Sequence, residues 1–142
     1  MINPEKNNCL EKYAIYTSKF QINMITKVTQ IFIDGTFKIA PYGYYQVINI
    51  GGYLPQLNKI FPLFFILTTG KSEFLYEIIF ANIKKILLDN KIDINKITDE
   101  YMLDFEPALQ NSIKKTFQGC KISGCYFHYV KNLWEKAKRF GL

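Results

Sequence analysis

The apolar and polar positions of the chain predict three consecutive strands near its N-terminal half. Runs rich in branched and aromatic residues predict strands at residues 28–37, 44–53 and 60–69, and their short connections predict an antiparallel meander. Pro62 has no amide hydrogen, so the third of these strands is expected to lie at a sheet edge or to begin late. A short apolar run at residues 13–16 is a candidate for one further strand.

The apolar period then changes from strand to helix. Ser72 is a candidate N-cap for a helix at residues 73–90. Its predicted apolar stripe consists of Phe74, Ile78, Ile79, Ala81, Ile83, Ile86 and Leu87. A strand at 100–104, a helix at 107–117, a strand at 120–125 and a helix at 126–140 complete the prediction.

This order of elements predicts an α/β fold built on a mixed five-stranded sheet. Numbered along the chain, the strands are expected in the order 3-2-1-4-5: three antiparallel strands followed by βαβ units, with flanking helices. The strand at 100–104 would reach the first strand through a right-handed crossover and pair with it in parallel. Asp34 and Asp104 would then lie on adjacent central strands.

These two aspartates are the main candidates for chemistry, in the segments IFIDGTFK and YMLDFE. A carboxylate on a buried strand needs compensation, and a metal ion is one form of it. The IFIDGTFK segment alone leaves a second interpretation open, because Asp-Gly is a frequent turn pair. Two acids on adjacent strands can bind a pair of divalent cations about 3.5–4 Å apart, as in phosphodiester chemistry. Mg²⁺ suits such a site.

The amino-acid composition excludes few classes of protein. The 142 residues suit one domain, and 49% of them are hydrophobic. The net charge of +6 is a mild preference for polyanions, and the scattered lysines fit a solvated surface as well as a DNA-binding one. Three cysteines without framework spacing favour a reducing, intracellular compartment. The N-terminus MINPEKNN shows no signal peptide, and no apolar run is long enough to span a membrane.

Four motifs in sequence resemble a known family. The chain reads DGTF followed by a Tyr-Gln strand, then DFE, then C-x-x-H, and this combination looks like the catalytic domain of Mutator-like element (MULE) DDE transposases. The resemblance implies a ribonuclease H-like fold. It divides the chain into a lead-in segment at residues 1–27 and a transposase domain at residues 28–142, which is expected to be incomplete at its C-terminal end.

The resemblance also implies roles for individual residues. Asp34 and Asp104 match the first two catalytic acids, which hold Mg²⁺ or Mn²⁺ in a two-metal site in the complete protein. The family's third acid is a Glu on a later helix, and Leu142 precedes that point, so the triad is expected to be incomplete here. Glu135 does not match its position. Glu106 is expected to cap the next helix rather than to touch a metal.

Cys125 and His128 match the C-x-x-H motif. They have two interpretations: half of a zinc site, to which Cys120 adds one ligand at most, or a buried thiol with a locally hydrogen-bonded imidazole. The second is favoured. Trp134 and the Tyr and Phe side chains are expected in the core rather than as base-stacking platforms.

By resemblance, the complete protein cuts and joins DNA, with transposon ends and target DNA as partners, in the nucleus. Self-association is left open, and no membrane partner is expected. The alternative is a catalytically inactive transposase remnant that acts, if at all, as a DNA- or protein-binding module.

Overall fold

The computed structural model describes residues 10–124 and 134–141. Its elements are β1 (Tyr13–Tyr16), α1 (Lys19–Met24), β2 (Gln30–Thr36), β3 (Gln46–Leu54), β4 (Lys59–Thr68), α2 (Glu73–Asp89), β5 (Glu100–Leu103), α3 (Pro107–Thr116) and β6 (Lys121–Gly124). Single 3₁₀ turns lie at Ile25–Lys27 and Ile94–Lys96, and residues 134–139 are helical. Among the described helices, none is long and apolar enough to cross a membrane.

The strands form one mixed six-stranded sheet in the order β1-β4-β3-β2-β5-β6. The predicted mixed α/β class is confirmed, but the predicted five strands and their order are wrong, because β1 pairs antiparallel with β4 and becomes the edge strand. Inside this sheet the other five strands keep the predicted neighbours. β2, β3 and β4 are antiparallel, whereas β5 pairs in parallel with β2 and with β6.

Pro62 therefore lies in an interior strand, contrary to the edge position expected for it. Two features accommodate it. The register between β3 and β4 shifts at Gly51, which pairs with Pro62, and β1 reaches along β4 only as far as Phe65. Where β1 no longer pairs with β4, side chains satisfy the backbone of β4 instead. Gln21 donates to the Pro62 carbonyl at 3.2 Å, and Thr17 donates to the Leu63 carbonyl at 2.8 Å.

Helix α2 packs on one face of the sheet, with Ser72 as its N-cap, whose hydroxyl accepts from the Leu75 amide at 3.1 Å. The predicted stripe is partly wrong: Phe74 is 71% exposed. The buried side chains are Leu75, Tyr76, Ile79, Phe80, Ile83 and Leu87. Apolar residues cover a wide arc of this helix, so their spacing along the sequence is compatible with more than one buried face.

The core lies between this face of the sheet and helices α2 and α3. Ile31 and Ile33 of β2 and Leu103 of β5 are buried in it, and Tyr101 stacks on Phe117 with ring centroids 5.2 Å apart. Trp134 is 63% exposed, so its expected place in the core is wrong. Helices α2 and α3 thus pack on one face of the central strands. The strands β2 and β5 are held next to each other by their parallel pairing.

Candidate active site

The parallel pairing of β2 with β5 places the two candidate aspartates at the same end of the sheet. Ile33 pairs with Leu103, and the residue that follows each of them is an aspartate. Neighbouring strands lie about 4.8 Å apart. Asp34 lies within β2, and its side chain alternates with that of the buried Ile33. Asp104 directly follows the end of β5 and lines a pocket with Tyr76 of α2. Both are half-buried.

Asp104 is held by the start of α3. Its Oδ1 accepts from the Phe105 amide at 2.6 Å, and Gln110 Nε2 donates to its backbone oxygen at 3.3 Å. The turn between β5 and α3 therefore fixes both the backbone and the carboxylate at the strand end.

Glu106 occupies the N-cap position of α3, but its side chain makes no capping hydrogen bond. The expected position at the start of this helix is therefore confirmed, but a capping hydrogen bond from the side chain is not formed. The Tyr76 hydroxyl lies 3.2 Å from each Glu106 carboxylate oxygen and donates to this carboxylate. The carboxylate thus turns toward α2 and toward the pocket that contains Asp104.

Two buried polar side chains hold Glu106 in place. Gln46, only 2% exposed, donates through Nε2 to the Tyr76 hydroxyl at 2.8 Å and to the Gly70 carbonyl at 3.3 Å. Its Oε1 lies against Gly35, where an added Cβ would come within 2.7 Å of it. A chain of contacts therefore runs from the residue after Asp34, through Gln46 and Tyr76, to Glu106.

The sequence prediction missed this network. Its one signal is Gln46, a glutamine in an otherwise apolar strand, since buried amides need partners. Tyr76 gave no signal, because a tyrosine on the apolar stripe of a helix is ordinarily a packing residue.

The electrostatics of the network follow from its burial. Burial raises the pKa of Glu106, the Tyr76 hydrogen bond and the Lys71 charge lower it, and the neighbouring Asp104 raises it, with a net upward shift. Burial also raises the pKa of Tyr76, which therefore stays a neutral donor. Asp104 and Glu106 line the same pocket and therefore belong to one site.

The network opens into a small pocket next to the ends of β2 and β5. Its lining residues are Gly35, Phe37, Gln46, Ile48, Tyr76, Asp104, Glu106 and Leu109. This pocket brings the carboxylates of Asp104 and Glu106 together with apolar side chains and with the buried Gln46 and Tyr76.

Of the remaining predicted residues that the structure describes, Glu135 and Cys120 do not line this pocket. Cys125 and His128 lie outside the described residues. Glu135 is exposed in the helical segment 134–139. Cys120 is half-buried, with its Sγ 4.0 Å from the Ile113 carbonyl, and burial raises the pKa of its thiol.

The donor set fits a hard divalent ion better than a closed protein cage. Within residues 10–124 and 134–141, no group of three or more His, Cys, Asp or Glu side chains is arranged to hold a metal. Asp34 and Asp104 offer two carboxylates, and Mg²⁺ is ordinarily bound by one or two carboxylates together with water and substrate phosphates.

Comparison with protein-family models identifies a match for most of the chain. A protein-family model described as MULE transposase domain matches residues 30–132, which include every element from β2 to β6. A search of curated proteins finds none that matches the chain.

Proposed function

Because this chain belongs to the MULE transposase domain family, we propose that it carries the first two acids of a divalent-metal site for DNA cleavage and strand transfer. Asp34 and Asp104 are the proposed catalytic residues and metal ligands. The proposed substrates are transposon ends and target DNA.

One observation carries this proposal: the parallel register that pairs Ile33 with Leu103 and so brings an aspartate to the same level of two adjacent strands. Residues 34 and 104 are far apart in the chain but lie at the same end of the sheet. A turn function for Asp34 alone would give no reason for the second acid beside it.

A bound Mg²⁺ or Mn²⁺ would supply activation of the attacking oxygen and stabilisation of the leaving oxygen. The protein's own contribution is to place the ligands. Asp104 is oriented by the Phe105 amide, and Glu106 is kept beside it by Tyr76. Lys71, whose charge acts on Glu106, adds a cation next to the acids and favours the approach of a phosphate.

We also propose that the sheet is the ribonuclease H-like arrangement implied by the resemblance. Its support is the meander of β2, β3 and β4 followed by the parallel strands β5 and β6, with α2 and α3 as crossovers. β1 is an addition to that pattern. The nuclear location, the domain boundary at residue 27 and the role of Cys125 and His128 stay predictions.

The test is cleavage of labelled DNA in Mn²⁺ by the complete protein. We expect Asp34→Asn and Asp104→Asn to abolish cleavage, since each removes a charged ligand. Asp89→Asn is the matched control, because Asp89 is exposed at the end of α2 and remote from the pocket. Cleavage that survives both site variants would contradict the proposal.

The alternative function, a binding module without catalysis, has its own outcome in this experiment. DNA binding that falls with salt and is unchanged in Asp34→Asn and Asp104→Asn, with no cleavage by the complete protein, would favour it.

A further inference from the structure

The loop between β2 and β3, residues 37–45, exposes large aromatic side chains beside the candidate active site. We refer to residues 37–45 as the aromatic loop. Each of these rings is at least 37% exposed: Phe37, Tyr42, Tyr44 and Tyr45. An exposed cluster of this kind marks an interaction site more often than chance placement does. The sequence prediction had placed such residues in the core.

The aromatic loop is held in a defined shape. The Tyr45 amide donates to the Thr68 carbonyl of β4 at 2.7 Å, and the Tyr44 amide donates to the Pro41 carbonyl at 3.0 Å. Phe37 and Tyr45 meet edge to face, with ring centroids 5.1 Å apart. Their rings are therefore fixed relative to each other before any ligand arrives.

Positive charge accompanies the rings. Lys71 Nζ lies 5.9 Å from the centroid of the Tyr45 ring, and Lys38 is exposed within the aromatic loop itself. Aromatic faces flanked by lysines are the elements with which proteins bind single-stranded nucleic acid: rings stack on bases and cations contact phosphates.

The same side chains connect the aromatic loop to the acids. Phe37 lines the pocket that contains Asp104 and Glu106, and the charge of Lys71 acts on the Glu106 carboxylate. A ligand on the rings would thus lie next to the proposed site of cleavage.

We propose that the aromatic loop binds unpaired bases of the DNA substrate next to the phosphate that is cut. This inference rests on the proposed function and adds to it the substrate form: DNA whose strands are separated near the cleavage point. Phe37 and Tyr45 are the stacking residues, because their rings are the ones held in place. Lys38 and Lys71 contact the backbone phosphates. A protein partner would use the rings but would give no reason for two lysines among them.

Fluorescence anisotropy in EDTA tests the inference without metal chemistry. The probes are a labelled blunt duplex and the same duplex with an unpaired tail. We expect the wild-type protein to bind the tailed duplex at least about fivefold more tightly, since stacking of one base is worth ~1 kcal/mol or more. Replacing Lys71 by Ala should weaken both complexes and lower the salt dependence.

Three variants separate stacking from other causes. Tyr45→Ala and Tyr45→Leu should both abolish the preference for the tail, because leucine keeps the apolar surface but has no ring face. Phe74→Ala is the matched control: Phe74 is an exposed aromatic on α2, outside the aromatic loop, and its loss should leave the preference intact. Thermal unfolding monitors the fold of each variant.

Each outcome decides between the inferences. A preference lost in both Tyr45 variants and kept in Phe74→Ala supports the aromatic loop as a base-binding surface. Equal binding of both probes by wild type, or a preference that Tyr45→Leu retains, overturns it; the proposed cleavage is then judged separately by the Asp34→Asn comparison in Mn²⁺. A change in oligomeric mass in Tyr45→Ala with unchanged DNA preference also overturns it and identifies a self-contact. Failure of wild type to bind either probe in EDTA overturns the inference, and the cleavage assay in Mn²⁺ still decides the proposed function.

Discussion

The Tyr76 hydroxyl lies at equal distances, 3.2 Å, from the two carboxylate oxygens of Glu106 and joins helix α2 to the start of α3. This contact spans 30 residues of chain and ends two residues from Asp104. It makes the position of the acid-bearing turn depend on a side chain buried in the core.

Removal of this hydroxyl is the first test of that dependence. Tyr76→Phe keeps the ring but deprives Gln46 of an acceptor and Glu106 of a donor. We expect a loss of about 1–2 kcal/mol in the free energy of unfolding, measured by urea titration at neutral pH. An unchanged free energy would show that the network does not stabilise the fold.

Tyr101 offers the contrasting case and a pH dependence. Among the residues that the structure describes, Tyr101 has a buried side-chain hydroxyl without a hydrogen-bond partner. Tyr101→Phe should therefore leave stability at pH 7 unchanged or raise it by up to about 1 kcal/mol. A loss as large as that of Tyr76→Phe would contradict this account.

Burial raises the pKa of Tyr101 above its ordinary value of 10.0. The unfolded chain therefore ionises this residue first, and wild-type stability falls as pH rises above about 10. The Tyr101→Phe variant lacks this contribution, so its advantage in urea unfolding should be larger at pH 11 than at pH 9. A constant difference across this range would contradict the upward shift.

Charge repulsion between Asp34 and Asp104 predicts that neutralising either acid does not lower the stability of the metal-free protein. Asp34→Asn and Asp104→Asn should each leave the melting temperature of the metal-free protein unchanged or higher, because like charges on adjacent strands repel. Asp89→Asn is again the control. A large loss of stability in Asp34→Asn would instead favour the turn function of Asp34.

Tight packing at Gly52 predicts a coupled pair of substitutions. A Cβ at Gly52 would collide with the Val28 side chain and lie 3.0 Å from Leu63 Cδ1. Gly52→Ala should lower the free energy of unfolding by about 1–3 kcal/mol. In the double variant with Val28→Ala, which opens the space, the combined loss should be smaller than the sum of the two single losses. Additive losses would refute the collision.

The pairing of β2 with β5 could be predicted because it depends on local signals. The apolar period changes at Ser72, and the right-handed crossover rule then leaves one way to return to the sheet. That argument brings Asp34 and Asp104 together from the sequence alone, and the observed register agrees with it.

β1 and the buried network were harder to predict for the opposite reason. β1 has four residues, and its place is decided by pairing with β4, about 50 residues later, rather than by its own pattern. Likewise, the acceptors for the Gln46 side-chain amide are the Gly70 carbonyl and the Tyr76 hydroxyl of α2, so no spacing near residue 46 reveals them. The face of α2 was mistaken because apolar residues surround much of this helix.

The cover that β1 provides also bears on solubility. β4 contains the run LFFILT, which combines high β-propensity with no charge. Without β1, the backbone groups of Phe65–Thr68 would form an open edge next to these side chains, the kind of edge on which other chains assemble into cross-β aggregates. A segment of four residues thus protects the most aggregation-prone strand of the sheet, and a shortened chain that begins after Tyr16 is expected to precipitate rather than merely to lose stability.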